Sequence, residues 1–355
     1  MKNVIIVGAG VIGLMCAVRL AKAGARVTVL EEHNENTTVW GPTASASAAG
    51  MLAPLNEAPS SHDALALASF DLWRVWRDRS PWADAVRFDG GAMLARTERD
   101  ATNIISRAQA LKRDGEMLSA SRFRKRTGLR TEVEHAVFIP DEGVADPLRT
   151  LSGLVMDARA HGVLVSFGED VMEATANTVT TQAGHTFEAD HVVLAPGVWA
   201  TEALMALALA LKHVRPAKGC LVPVQFEQPV APNIRGDGFY VAQRYGDTVL
   251  GATLDFDRTD RRVDPAQVDA LLAAADAALP GELRPAGKPW TGIRPMSPDG
   301  WPMIGPSGDV LIAAGHSRNG WLLAPITAEI ITAYVMGADI PPEWASLSPD
   351  RFGPA

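Results

Sequence analysis

The 355-residue sequence contains only two cysteines, Cys16 and Cys220, too few for a disulfide framework and in keeping with a reducing compartment. Its eight histidines form neither H-E-x-x-H nor H-x-H, and C-x-x-C does not occur, so no metal site is expected. A G-x-S-x-G elbow and a P-loop are both missing, which removes the usual hydrolase and phosphate-transfer signatures. Long apolar runs are missing too. The longest in a helical setting, ALMALALAL at 203–211, is too short to span a bilayer. The chain carries a net charge of −8, and nucleic acid is not an expected partner. The N-terminus reads as a strand, without the charged region, apolar run and cleavage site of a secretory signal, and a cytoplasmic protein is expected. There is no internal repeat and no low-complexity linker.

What is present suits a well-packed α/β chain: 47% of residues are hydrophobic and 21% charged, and the length allows two domains or one large unit. Residues 2–31 are the clearest element. KNVIIVGAG is a buried strand running into glycines, VIGLMCAVRLAKAG is helical and closes at Gly24, and ARVTVLEE is a second strand ending on acids. This is a βαβ unit with parallel strands. Helices are predicted at 61–79, 102–115 and 146–162, the last with Asp146 as N-cap and Pro147 at its first position. Strands VLVSFGEDV and HVVLAPG flank a hairpin-like insert at 174–188. Residues 213–256 are β-rich, and a proline-bounded helix follows. The C-terminal segment reads as strand, glycine-rich turn and a helix starting near Leu322. α/β pieces at both ends and in the middle, with β-rich pieces between, imply two interleaved domains.

Gly8, Gly10 and Gly13 have the G-x-G-x-x-G spacing. The first permits a tight turn, the second lets the backbone approach a pyrophosphate, and the third allows helix–strand packing. The helix N-terminus at Val11 and Ile12 offers free N–H groups to phosphates. Glu31 ends the second strand, where an acid accepts hydrogen bonds from ribose hydroxyls and disfavours a 2′-phosphate. The neighbouring Glu32 is expected to be solvated. NAD and FAD both remain open on these residues. TASASAAGMLAP at 43–54 is a run of small residues that lets backbone amides reach a bulky ligand, with Ser45 and Ser47 available for phosphate oxygens; a plain alanine-rich loop is the competing reading.

In WTGIRPMSPDGWPMIG, at 290–305, Arg294 has no acid within four positions and is held extended by the following proline. One reading gives it an external carboxylate as partner. The other pairs it with Asp299 as a loop brace.

VGAGVIG…VTVLE, ASASAAGMLAP, ADHVVLAPGVWA and GIRPMSPDGWPMIG…AAGHSRNGWLLAP, in that order and over nearly the whole chain, resemble the flavin-dependent D-amino-acid oxidase superfamily. Within it they resemble most the bacterial glycine oxidases of thiamine biosynthesis. The resemblance implies an α/β fold in which a Rossmann-like FAD-binding domain (1–85, 143–212 and 291–355) is interleaved with a smaller α+β substrate domain (86–142 and 213–290) built on a mostly antiparallel sheet. It implies non-covalent FAD, a small amino-acid or amine substrate (glycine, sarcosine or a small D-amino acid), and oxygen as electron acceptor. A homo-oligomer is left open.

By the same resemblance, Gly8, Gly10, Gly13 and Glu31 hold the ADP portion, with Val11, Ile12 and Glu32 beside them. Ser45, Ala49, Gly50 and Met51 run along the pyrophosphate, ribityl chain and flavin ring. Val171 contacts adenine through its main chain, and Gly197 and Trp199 join the cofactor set. Arg294 pairs with the substrate carboxylate, touching the cofactor site as well. Tyr240, Arg318 and Met51 line the reaction site, and Asn319, Gly320, Trp321 and Leu322 turn amides toward the flavin pyrimidine. Local readings compete with some of these roles: Tyr240 as a core strand aromatic, Arg318 as structural, Met51 as packing, and His316 as a structural hydrogen-bonder in place of a base. Three stretches depart from the pattern: Ser317 stands where a bulky aromatic is usual, and WGP at 40–42 and the run at 203–211 are unusual. The alternatives carried forward are an FAD-dependent D-amino-acid or 2-hydroxy-acid dehydrogenase passing electrons to a quinone, a tRNA-base-modifying flavoprotein, and a non-enzymatic nucleotide-binding module.

Overall fold

The structure, a computed structural model, describes residues 1–36, 41, 43–55, 59–228 and 230–353; Trp40 and Pro42 of the unusual WGP lie outside the described residues. Strand Asn3–Val7 is apolar on both faces, with Val4 and Ile6 entering one core and Ile5 and Val7 the other. That pattern belongs to a strand covered on both sides. It sits inside a six-stranded sheet ordered 303–307, 310–314, 191–194, 3–7, 26–31, 164–167. All neighbouring strands are parallel except 303–307 against 310–314. One face packs on helices Val11–Lys22, Pro147–Ala160 and Gly320–Met336. The last is apolar all round and largely buried, as a central helix must be. The other face packs on helix Glu202–Leu207 and a three-stranded antiparallel sheet, 171–174, 178–181 and 186–188, which is the insert read as hairpin-like.

A ten-stranded, mostly antiparallel sheet forms the second layer, built around the long strand Arg215–Phe226. Helix Pro265–Ala278 covers one of its faces through Leu271 and Ala275. The division into two interleaved units remains a proposal. Strand Trp290–Met296 pairs residue for residue with Arg215–Leu221, and we therefore place the return to the nucleotide-binding unit after Met296, not at 291.

Most predicted helices form within a few residues of their expected limits. The helix expected at 102–115 occupies Glu98–Ala110: the Thr97 hydroxyl accepts from the Asp100 N–H at 3.1 Å and starts it early, and a left-handed Lys112 follows its end. Asp146 caps its helix as expected, accepting from Arg149 N–H at 3.1 Å. The apolar run at 203–211 is α-helical only to Leu207 and then tightens into a 3₁₀ turn over Leu209–His213. Among the described residues, no helix is long and apolar enough to cross a membrane.

Candidate active site

The parallel strands 3–7, 26–31, 191–194 and 310–314 end at Gly8, Glu31, Ala195 and Gly315, and all four residues line one cavity of about 480 Å³. Ligands of open parallel sheets bind at this carboxyl edge. The cavity continues to the antiparallel sheet, where Tyr240, Arg235, Gly219 and Arg294 line it. Nineteen of the twenty-one expected site residues border this single space: every one except Gly13 and Leu322.

Gly13 lies behind the lining because it serves packing. A methyl group there would overlap the Gly8 carbonyl, and one on Gly8, at φ 106°, would overlap the Ala195 carbonyl. Leu322 is likewise one layer back, its carbonyl accepting from the Ser69 hydroxyl at 2.7 Å. Glu31 is buried, and its Oε2 accepts from Ala9 N–H at 2.7 Å, which fixes the turn above the helix start. Glu32 pairs with His33 at 3.1 Å, and burial pushes its carboxyl above the usual range. The Ser45 hydroxyl accepts from Val11 N–H at 3.0 Å, leaving its own O–H to donate. Helix Gly320–Met336 begins two residues before the expected Leu322. Asn319 at its N-cap position makes no side-chain cap, so the amides of its first turn remain for a ligand at the Asn319–Trp321 wall.

Arg294 answers the question raised by its isolation. Its Nη1 donates to Thr253 O at 3.1 Å and it hydrogen-bonds the Tyr240 hydroxyl. Among the described residues it forms no ion pair. Asp299 is engaged elsewhere, by Arg351 through Nε at 2.9 Å and Nη2 at 3.1 Å, so the loop-brace reading fails. Burial lowers the Arg294 pKa from the ordinary arginine value; the Tyr240 oxygen opposes this and the nearby Arg318 charge adds to it. An incoming anion would relieve that penalty. For Tyr240, burial raises the pKa and the adjacent arginines only partly counter it, so its phenol stays neutral. Arg318 is exposed at the cavity wall.

His316 is not a base. Its Nε2 lies 2.9 Å from Thr327 Oγ1, and that hydroxyl donates to Leu323 O at 2.8 Å, so the imidazole nitrogen is the donor. Burial depresses its pKa to about 3 and keeps the ring neutral. Ser317 is left-handed at φ 52° and buried, its Oγ accepting from Ser297 N–H at 3.1 Å.

Several contributors carry no signal in the sequence. Gly219 lies under the Arg294 guanidinium and Gly251 under the Tyr240 ring, so that a methyl group at either position would overlap those side chains. A buried Arg235–Glu142 ion pair backs the wall beside Tyr240, which is the cross-strand neighbour of Arg235. Only strand register brings these together, and no local motif marks them.

The residues fit FAD. The cavity has the size of a small-molecule site. Its walls supply a glycine turn and a ribose-level carboxylate at one end, a guanidinium at the other, and helix-start amides, although the Val11 N–H expected to be free is taken by Ser45. The profile of the DAO family, described as FAD dependent oxidoreductase, matches residues 3–334. The chain belongs to this family. A glycine oxidase of Bacillus licheniformis is 32% identical to it over 96% of this chain and 95% of its own. The crystal structure of glycine oxidase from Geobacillus kaustophilus superposes with a TM-score of 0.85 at 27% identity, covering 99% of both chains. An L-proline dehydrogenase from P. horikoshii has the same fold, with a TM-score of 0.85 at 20% identity over 99% of this chain and 97% of its own. As a member of the FAD-dependent oxidoreductases the chain is a flavoenzyme, and the carboxyl-edge cavity is where its residues suit the flavin.

Proposed function

We propose that this enzyme oxidises the Cα–N bond of a small amino acid or amine carrying a carboxylate, with glycine, sarcosine and small D-amino acids as the substrate class. The observation that carries the reading is Arg294: a half-buried guanidinium without an acidic partner among the described residues, bordering a flavin-sized cavity. Guanidinium matches a carboxylate as a bidentate fork and keeps its charge in a dry site. The Thr253 carbonyl and the Tyr240 hydroxyl hold it in place. Neutral Tyr240 adds a hydrogen bond to the substrate, and Arg318 adds positive potential.

Bound FAD supplies a two-electron acceptor, which oxygen re-oxidises to give hydrogen peroxide. The chain's own residues orient and exclude water. Anchored by its carboxylate, the substrate presents its Cα–H to the Ala49–Met51 and Asn319–Trp321 walls, where the flavin ring fits. No base is required once the amine is neutral, and the lining supports this: its carboxylates, Glu31, Glu32, Glu169 and Asp170, cluster at the nucleotide end, and His316 is tied to Thr327. The imine product then hydrolyses to a 2-oxo acid. The relatives named glycine oxidase favour oxygen as acceptor.

Peroxide release with glycine, sarcosine, D-alanine, D-proline and bulkier amines tests the reading. Arg294→Ala is expected to keep bound flavin and lose about 3–5 kcal/mol in kcat/KM, the cost of breaking a buried charge pair. Asp299→Asn, which weakens the ion pair with Arg351, is expected to leave amine kinetics unchanged. Unaltered amine affinity in Arg294→Ala would refute the assignment, and flavin bleaching without oxygen uptake would indicate the dehydrogenase.

A further inference from the structure

Three N–H donors from distant parts of the chain converge on one short stretch of backbone. The Trp321 indole donates to Ser45 O at 3.1 Å, the Trp290 indole to Ser47 O at 3.0 Å, and Arg244 Nη1 to Ala48 O at 3.4 Å. They arise from the C-terminal helix, from the strand that carries Arg294, and from the end of the strand that carries Tyr240. Arg244 is itself buried and fixed: its Nε donates to Asp247 Oδ1 at 2.7 Å, a second bond joins Nη2 to Asp247 Oδ2, and its guanidinium lies 5.5 Å from the Trp290 ring centroid.

In a trans peptide the N–H points opposite to the carbonyl. Pinning Ala48 O toward the antiparallel sheet therefore turns Ala49 N–H the other way. Ala49 and Gly50 are both buried and both line the cavity, and among the described residues neither amide N–H has a hydrogen-bond partner, whereas Gly50 O accepts from Ala145 N–H at 2.9 Å. Buried amides are rarely left without an acceptor, so these two are prepared for a ligand.

We propose that Arg244, Trp290 and Trp321 are positioning residues, clamping the Ser45–Ala48 carbonyls so that the Ala49 and Gly50 amides donate to the flavin. The clamp couples the substrate-binding sheet to the electronics of the cofactor. Amides held in advance favour the more negative, reduced form of the ring and cost no reorganisation when it forms. The inference rests on the flavin site and not on the choice of amine.

The test uses purified holoenzyme of Trp290→Phe, which keeps an aromatic ring and removes one N–H, and of Arg244→Met and Arg244→Lys. Two-electron potentials from dye equilibration, visible flavin spectra and FAD dissociation constants are compared with wild type, with thermal melts as the check on folding. The expected result is a roughly tenfold loss of preference for reduced over oxidised flavin in the Trp290→Phe and Arg244→Met enzymes, equivalent to a potential about 30 mV more negative, with partial recovery in Arg244→Lys. Unchanged potentials and spectra in both substitutions overturn the proposal. If Arg244→Met does not fold, Trp290→Phe decides alone. None of these readouts requires turnover, so failure of the Arg294 assignment leaves them standing, and their failure leaves that assignment intact.

Discussion

Arg294 and His316 show how two polar side chains at the same cavity take opposite parts. Arg294 remains a cation in spite of burial because it has a neutral phenol and a carbonyl beside it and open space in front. His316 is fully enclosed and gives up its charge. This has a consequence for pH. With a folded pKa of about 3 against an ordinary 6.5, the unfolded chain binds the extra proton between those values, so stability is whole above pH 6.5 and falls as pH drops toward 3. Each tenfold difference in proton affinity between the two states corresponds to about 1.4 kcal/mol. Urea midpoints measured from pH 8 to pH 4 are expected to fall less steeply in His316→Gln, which preserves a donor for Thr327. Equal slopes would mean that His316 is not the titrating group. The arginine is legible in the sequence because its neighbours are all apolar or small. The histidine's buried state depends on a helix residue eleven positions away.

At the scale of elements, the βαβ unit and the strand–turn–helix at the C-terminus are readable because their periodicity and glycines are local. Gly13 illustrates this: its place between helix and strand follows from the motif, and a methyl group there would overlap the Gly8 carbonyl. Gly219 is not readable. It matters because Ala217 stands opposite Arg294 in the ladder, which places Gly219 diagonally beneath the guanidinium. Gly219→Ala is expected to displace Arg294, raising KM for the amine at least as much as it lowers kcat, with the flavin spectrum unchanged. A variant with wild-type KM would show that the guanidinium has room to shift. The helix at 98–110 starts ahead of its apolar pattern because its first turn is charged, and its start is set by the Thr97 cap.

Over the whole molecule, the cavity is walled by both layers, the parallel sheet supplying its nucleotide end and the antiparallel sheet its Tyr240 and Arg294 end. A ligand that fills it adds stability by mass action, about 2.7 kcal/mol at a hundred times its dissociation constant. The apoprotein is therefore expected to melt at a lower temperature than the holoenzyme, with Tm rising as FAD is added; a Tm indifferent to FAD would contradict the shared site.

From the sequence alone came the nucleotide-binding unit, the family resemblance, and a lone arginine in search of an anion, since each is written in residues close together along the chain. Only the tertiary structure decided that Asp299 belongs to Arg351, that His316 is neutral, and that glycines, two indoles and a second arginine from remote elements meet at the cavity wall. Those facts depend on sheet register and burial, which bring together residues that no local pattern connects.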